Sequence, residues 1–302
     1  MTDPATYPEN IDIDLLRLPV FCDRGIRVQV LRLDKLHPEI SGNKWFKLRY
    51  FLEAAKAGKR RLLVSFGGAH SNHLVALACA AHIHGYSSLG LVRGEEPANL
   101  SPALKTAAKY GMQIQFLSRS EYRRQTNPVF MTELEAAHPD AIIIPPGGAG
   151  EPGIRGAGEI LSFPGAASYS HIAVAVGTGT TLTGLANAAA PHQHLIGISM
   201  LKGTKDLQPL EPGLIGKNKQ ITMVHDYHFG GYAKKPPSLL SFMNEVFDIS
   251  GIPTDFVYTG KLFYAIADLA EQSFFPRGSN ILMIHSGGLP GNRSLPSGLL
   301  HF

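Results

Sequence analysis

The chain has 302 residues, a length that points to two lobes of roughly 100–200 residues each. With 44% hydrophobic and 17% charged residues, 32 glycines and 21 prolines, it reads as a globular protein with many short turns, which excludes a disordered or fibrous chain. The formal charge of +4 is dispersed apart from short clusters such as Lys59-Arg60-Arg61 and Lys234-Lys235, so no nucleic-acid footprint is expected; an anionic ligand would account for the excess equally well.

Met1 to Asn10 is polar and acidic without an apolar core, and no run of eighteen apolar residues occurs, so an untargeted cytoplasmic protein with no membrane partner is expected. Cys22 and Cys79 lie too far apart for a disulfide framework or a zinc site of their own. Short β-branched runs predict strands at Leu62–Phe66, Ser88–Val92, Gln113–Leu117, Ala141–Ile144, Ile172–Val176, Leu195–Met200 and Ile281–His285. Helical periodicity lies between them at Asn72–His84, Pro102–Tyr110, Glu121–Ala137, Gly156–Leu161, Thr181–Ala189, Leu239–Phe247 and Lys261–Gln272. This alternation is the pattern of βα units building a parallel sheet, and strands without polar alternation are expected to be covered on both faces. The glycine- and proline-rich stretch from Pro145 to Gly153 could be an interlobe crossover, and Lys202–Lys219 reads as an irregular surface region.

Three segments carry chemistry. In Ser41-Gly-Asn-Lys-Trp-Phe-Lys-Leu-Arg49, Lys44 and Lys47 share one face if a helix begins there. A neighbouring cation and desolvation both lower a lysine pKa, which supplies the neutral amine that imine formation needs; the same spacing also fits a solvated basic face. In Ser65-Phe-Gly-Gly-Ala-His-Ser-Asn-His73 a strand runs through glycines into a helix start, where the N–H groups of Ser71, Asn72 and His73 would be free to hold a carboxylate. Simple N-capping by Ser71 or Asn72 is the alternative. The third is Val176-Gly-Thr-Gly-Thr-Thr-Leu-Thr-Gly184. It fails as a dinucleotide fingerprint because Leu182 stands at the third glycine, and as a P-loop because Leu185 replaces the lysine. What remains is a loop, Gly177, Thr178, Gly179, Thr180 and Thr181, suited to one phosphate monoester, or a structural turn. His70, His73, His82 and His84 have no carboxylate or cysteine at ligand spacing, so no metal is expected, and no Gly-x-Ser-x-Gly elbow surrounds Ser71.

Taken together, the Gly-Asn-Lys-x-x-Lys segment, the Gly-Gly-x-x-Ser-Asn-His turn and the Gly-Thr-Gly-Thr loop resemble the D-cysteine desulfhydrase and 1-aminocyclopropane-1-carboxylate (ACC) deaminase family. Asp226–Tyr232, Val257-Tyr-Thr-Gly-Lys261 and His285-Ser-Gly-Gly288 extend the likeness. The resemblance implies an α/β fold of two domains with twisted, mostly parallel sheets and helices on both faces, the tryptophan-synthase-β-like fold type II of pyridoxal 5′-phosphate (PLP) enzymes. Residues 1–46 with 160–302 would form the larger, PLP-binding domain and 47–159 the smaller one. It further implies Lys44 as the Schiff-base lysine, Lys47 reaching the phosphate held by Gly177 to Thr181, and Asn72 bonding the cofactor's ring oxygen. Ser71 matches the active-site serine, with Asn72 and His73 beside the substrate. Tyr232 and Tyr258 match tyrosines next to cofactor and substrate, and Thr259 and Ser286 match cofactor contacts, Thr259 standing where a residue meets the pyridine nitrogen.

At that position deaminases are expected to carry glutamate and desulfhydrases threonine, so the expected reaction is α,β-elimination on a small amino acid, D-cysteine giving pyruvate, sulfide and ammonia. ACC deamination and a non-catalytic PLP or amino-acid sensor are the alternatives, and a homodimer is expected from the family. Departures are Leu74-Val-Ala after Ser-Asn-His, where an arginine-containing continuation is expected, Pro290-Gly-Asn-Arg293 in place of an apolar helix, and a reduced N-terminus.

Overall fold

The computed structural model describes residue 8 and residues 10–203 and 220–302; most of the irregular stretch expected over Lys202–Lys219 lies outside the described residues. The strands are β1 (Ile13–Leu15), β2 (Arg27–Leu31), β3 (Leu62–Gly67), β4 (Ser87–Arg93), β5 (Gln113–Leu117), β6 (Ala141–Ile144), β7 (His171–Val176), β8 (His194–Ser199), β9 (Gln220–Val224) and β10 (Asn280–Ile284). The α-helices are α1 (Pro19–Asp23), α2 (Asn43–Ala57), α3 (Asn72–His84), α4 (Pro102–Lys109), α5 (Arg119–Arg123), α6 (Pro128–Ala137), α7 (Glu151–Gly158), α8 (Thr180–Ala188), α9 (Pro237–Ser250) and α10 (Thr259–Glu271). Two compact units result: Lys44–Gly156 forms one, and Ala157–Phe302 with residues 10–43 forms the other.

The unit 44–156 holds a four-stranded parallel sheet in the order β5-β4-β3-β6. Alternate residues Val64, Phe66, Leu89 and Leu91 turn one way, onto Tyr122, Phe130, Met131 and Leu134 from α5 and α6. The intervening residues Leu63, Ser65, Ser88 and Val92 are buried as well, as two covered faces require. The helix expected over Glu121–Ala137 is in fact broken. Ser118 and Glu121 form a reciprocal capping box that starts α5 early; α5 tightens into a 3-10 turn over Arg124–Thr126, and Asn127 followed by Pro128 stops that turn and starts α6, with the Asn127 side chain accepting from the N–H groups of Val129 and Phe130. Proline lacks the N–H that would continue the first helix.

The other unit holds a six-stranded sheet in the order β1-β2-β10-β7-β8-β9, parallel except for β1 against β2. Val28, Val30, Ala173, Ala175, Ile196, Ile198, Ile281 and Met283 line one face, packed with Leu262, Phe263, Ile266 and Leu269 of α10 and Phe21 of α1. The alternate residues, among them Leu31, Ile172, Val174, Leu195 and Leu282, are equally buried. β1, β2 and β9 had no counterpart among the sequence-predicted strands.

Candidate active site

In the unit 44–156 the chemistry gathers at the start of α2 and at the turn between β3 and α3. Lys44 is half-buried and Lys47 is buried, with 3% exposure. Burial, and then the charge of Lys44, push the Lys47 ammonium well below the usual lysine range. No carboxylate among the described residues pairs with it. A Cβ at Gly148 would lie 3.5 Å from Lys47 Cε and 3.6 Å from His73 Cε1, which brings both side chains to one point. His73 is buried, and desolvation followed by the charges of Lys44 and Lys47 lowers its pKa well below the ordinary value. The Ser65 hydroxyl donates to the Ile144 carbonyl (2.7 Å), so it accepts from His73 Nε2 (2.9 Å), and the neutral ring is left with Nδ1 buried and unpartnered.

Ser71 is the N-cap of α3, its hydroxyl accepting from the Leu74 N–H at 3.3 Å. The capping alternative therefore holds for its side chain, and one expectation is corrected: the Ser71 N–H is not free, because the turn geometry delivers it to the Gly68 carbonyl at 3.1 Å. Asn72 and His73 begin α3, where the first N–H groups have no intrahelical acceptor. Gly67 is needed behind them, since a Cβ there would sit 2.7 Å from Ser71 Oγ.

In the other unit, β7 ends at Val176 and α8 begins at Thr180, with Gly179 left-handed at φ +84° and no side chain capping the helix. Gly177 to Thr181 therefore present a bare helix N-terminus, with Thr178 and Thr180 hydroxyls 3.0 Å apart beside it. Asn43, the residue before Lys44, donates from Nδ2 to Thr181 Oγ1 at 2.8 Å. Its own N–H donates to the Ser286 carbonyl at 3.3 Å, where Gly42 (φ +69°) lies so close that a Cβ would stand 1.9 Å from that oxygen. The phosphate-type loop, the residue preceding Lys44 and the Ser286 turn are thus one hydrogen-bonded assembly.

Tyr258 packs on the same loop, with its Cε1 3.4 Å from where a Gly177 Cβ would be. Its hydroxyl donates to Tyr232 at 3.2 Å, and the rings meet edge to face. Burial, then the neighbouring Tyr232, push the Tyr258 phenol well above its ordinary value, so it works as a neutral donor and acceptor. Asp255 accepts from the N–H groups of Val257, Tyr258 and Thr259 at 2.8–3.0 Å, capping α10. The Thr259 hydroxyl donates to Asp255 Oδ1 at 2.8 Å and accepts the Asp255 N–H at 2.7 Å, which fixes the side chain at the start of α10. Ser286, 8% exposed beyond β10, keeps its hydroxyl uncommitted among the described residues. The turn carrying it is braced by His285, whose Nε2 meets the Pro253 carbonyl at 2.8 Å and whose Nδ1 lies 3.1 Å from Asp34 Oδ1, off the line of a good hydrogen bond. Arg32 grips Asp34 through Nε and Nη2.

A family model for the pyridoxal-phosphate dependent enzymes matches residues 12–287. The chain belongs to that family. A Pyrococcus abyssi protein provisionally named as an ACC deaminase is 30% identical over 88% of this chain and 86% of its own length. The bifunctional D-cysteine desulfhydrase/ACC deaminase of Arabidopsis thaliana is 27% identical (88% and 73%). A crystal structure of an ACC deaminase homologue superposes with a TM-score of 0.78 at 26% identity, covering 94% of this chain and 91% of the other. This PLP enzyme is therefore a lyase of the fold type II group, related to the ACC deaminases and D-cysteine desulfhydrases.

Each unit carries residues that fit the cofactor: the unit 44–156 a buried lysine with no carboxylate partner among the described residues, and the other unit an uncapped helix N-terminus whose Thr181 accepts from Asn43. Asn43, Asp255, Ser65 and the Arg32–Asp34–His285 brace were not singled out from sequence. The signal for Asn43 was present in the Gly-Asn-Lys segment itself, and Asp255 bonds residues only two to four positions on, whereas Ser65 meets the Ile144 carbonyl 79 residues away and His285 the Pro253 carbonyl 32 residues away.

Proposed function

We propose that this enzyme converts D-cysteine and water to pyruvate, hydrogen sulfide and ammonia. The observation that carries the reading is the start of α10, where an uncharged Thr259 stands and the one nearby carboxylate, Asp255, is fully occupied by four donors. Among the described residues no free carboxylate is offered there to hold a pyridine nitrogen protonated, and the weaker electron sink suits expulsion of a good β-leaving group better than opening a cyclopropane. Bound PLP supplies that sink and makes the substrate α-proton acidic. Lys44 is the residue assigned to hold the cofactor; once the substrate amino group displaces it there, its freed amine would take the α-proton, the C–S bond electrons would leave with sulfide, and water would hydrolyse the three-carbon product to pyruvate and ammonia.

Lys47 and the Gly177–Thr181 loop serve the phosphate, Asn72 the ring oxygen, Thr259 the pyridine nitrogen, and Ser286 is a further cofactor contact. The Ser71 hydroxyl with the Asn72 and His73 N–H groups holds the substrate carboxylate, and Tyr232 and Tyr258 face the substrate. Two copies form the working enzyme, in keeping with the family, and the cytoplasm is its compartment, in keeping with two free cysteines. No described helix is long and apolar enough to cross a membrane.

The test measures pyruvate, sulfide and 2-oxobutyrate from D-cysteine, L-cysteine, D-serine, β-chloro-D-alanine and ACC. Sulfide with pyruvate from D-cysteine is expected; 2-oxobutyrate from ACC without sulfide from D-cysteine would replace this reading by deamination, which the names of several relatives favour.

A further inference from the structure

Lys261 stands in α10 beside Leu262 and Phe263 with 0% exposure, a buried cation to which nothing above gives a task. Burial lowers its pKa to about 8, and the charge of Asp255 acts in the opposite direction. Its ammonium is occupied: Nζ donates to the carbonyl oxygens of His228 (3.0 Å) and Gly231 (2.9 Å). These carbonyls bracket the turn that ends immediately before Tyr232.

The turn has a backbone that an unaided chain avoids. Phe229 has φ +52° and Ala233 φ +57°, both left-handed L residues, with Gly230 at +92° and Gly231 at +134° between them. Local bonds alone are few: the Gly230 N–H to His228 Nδ1 (2.9 Å), the Gly231 N–H to the His228 carbonyl (3.0 Å) and the Lys234 N–H to the Gly231 carbonyl (3.2 Å). Tyr232 is itself 53% exposed, so packing holds it weakly, yet its hydroxyl stands at that of Tyr258. Tyr258 is the N-cap residue of α10, three positions before Lys261. One end of one helix therefore carries Tyr258 directly and holds Tyr232 through the ammonium.

We propose that Lys261 is a positioning residue for the tyrosine pair, its ammonium clamping the 228–231 turn so that Tyr232 meets Tyr258 and the amino-acid substrate while cofactor binding is left to other residues. This rests on the reading that the two tyrosines face the substrate. A methionine at 261 fills the same space without a donor.

The experiment compares Lys261→Met, Tyr232→Phe and the double variant as PLP-loaded enzymes. The readouts are kcat and KM for D-cysteine, PLP content by visible absorbance, and amide hydrogen exchange over residues 228–234. The single Met variant should lose roughly ten- to a hundredfold in kcat/KM, keep its PLP content, and add little to the loss already caused by Tyr232→Phe. Exchange at the Gly231 and Lys234 amides should accelerate, a measurement that needs no turnover and so tests the clamp even if D-cysteine is not the substrate. Losses that add in full, PLP content falling in step with activity, or unchanged exchange would each overturn the proposal. If the Met variant does not fold, Lys261→Gln, a donor of shorter reach, is measured by the same criteria.

Discussion

Replacing Lys47 by methionine should move stability and cofactor affinity in opposite directions. Without an anion, Lys47 is a buried cation repelled by Lys44, so the cofactor-free protein holds it at a cost. That cost has a ceiling, because a lysine can always release its proton. From the ordinary value of 10.5 down to pH 7 this takes about 1.4 kcal/mol per pH unit, or about 5 kcal/mol in all. Methionine keeps most of the stem's volume and removes the amine, so cofactor-free Lys47→Met should gain about 1–4 kcal/mol in urea unfolding at pH 7. With PLP the sign reverses: loss of a charge-assisted hydrogen bond to phosphate, about 1.5–3 kcal/mol, weakens cofactor binding roughly ten- to a hundredfold. The pH course follows from the depressed native value. A lysine whose folded value lies below its unfolded 10.5 makes wild-type stability rise as pH climbs toward 10.5, so the variant's gain shrinks toward pH 10. A cofactor-free variant less stable than wild type at pH 7, or one that binds PLP as tightly, would refute the assignment.

Four further outcomes are expected. Lys44→Ala should abolish both turnover and the visible absorbance of lysine-bound PLP; an unchanged spectrum would remove Lys44 from its role. Gly42→Ala must adopt φ near +69° and push a methyl into the Ser286 carbonyl, so it should lose about 2–4 kcal/mol in thermal or urea unfolding together with PLP affinity, and a neutral result would contradict the close approach of the two turns. Asn43→Ala removes the bond to Thr181 and should cost about 0.5–1.5 kcal/mol, with weaker PLP binding checked by titration. Lys261, with a native value near 8 against an unfolded 10.5, makes wild-type stability rise between pH 8 and 10; unfolding curves for Lys261→Met should lack that part of the slope.

Sequence legibility followed sequence locality. Gln113–Leu117 and Ala141–Ile144 were placed correctly at both ends because their apolar runs are bounded by turn residues and flanked by helices of clear period. β2, Arg-Val-Gln-Val-Leu, carries a charge and an amide, and what makes it a strand is its pairing with β10 and β1. The break at Asn127-Pro128 was written in the sequence, but the apolar period on either side masked it. In the site, the Gly/Thr loop and the lysine pair were legible because each is contiguous. The bonds between Thr259 and Asp255 were not, since they depend on the turn that starts α10, and Lys261 was hidden because a lysine within an apolar helix has no visible task until the turn at 228–231 is folded against it.

The register of β2 bears on how the molecule is made. Arg27 to Leu31 pair with Asn280 to Ile284, roughly 250 residues later, so the strand emerges from the ribosome long before its neighbour exists. The stretch 44–156, contiguous and built on its own four strands, can finish in the meantime. During synthesis one edge of β2 must therefore wait unpaired, the kind of edge that chaperones shield, and a stall late in translation would leave the Asn43–Ser286 junction unmade.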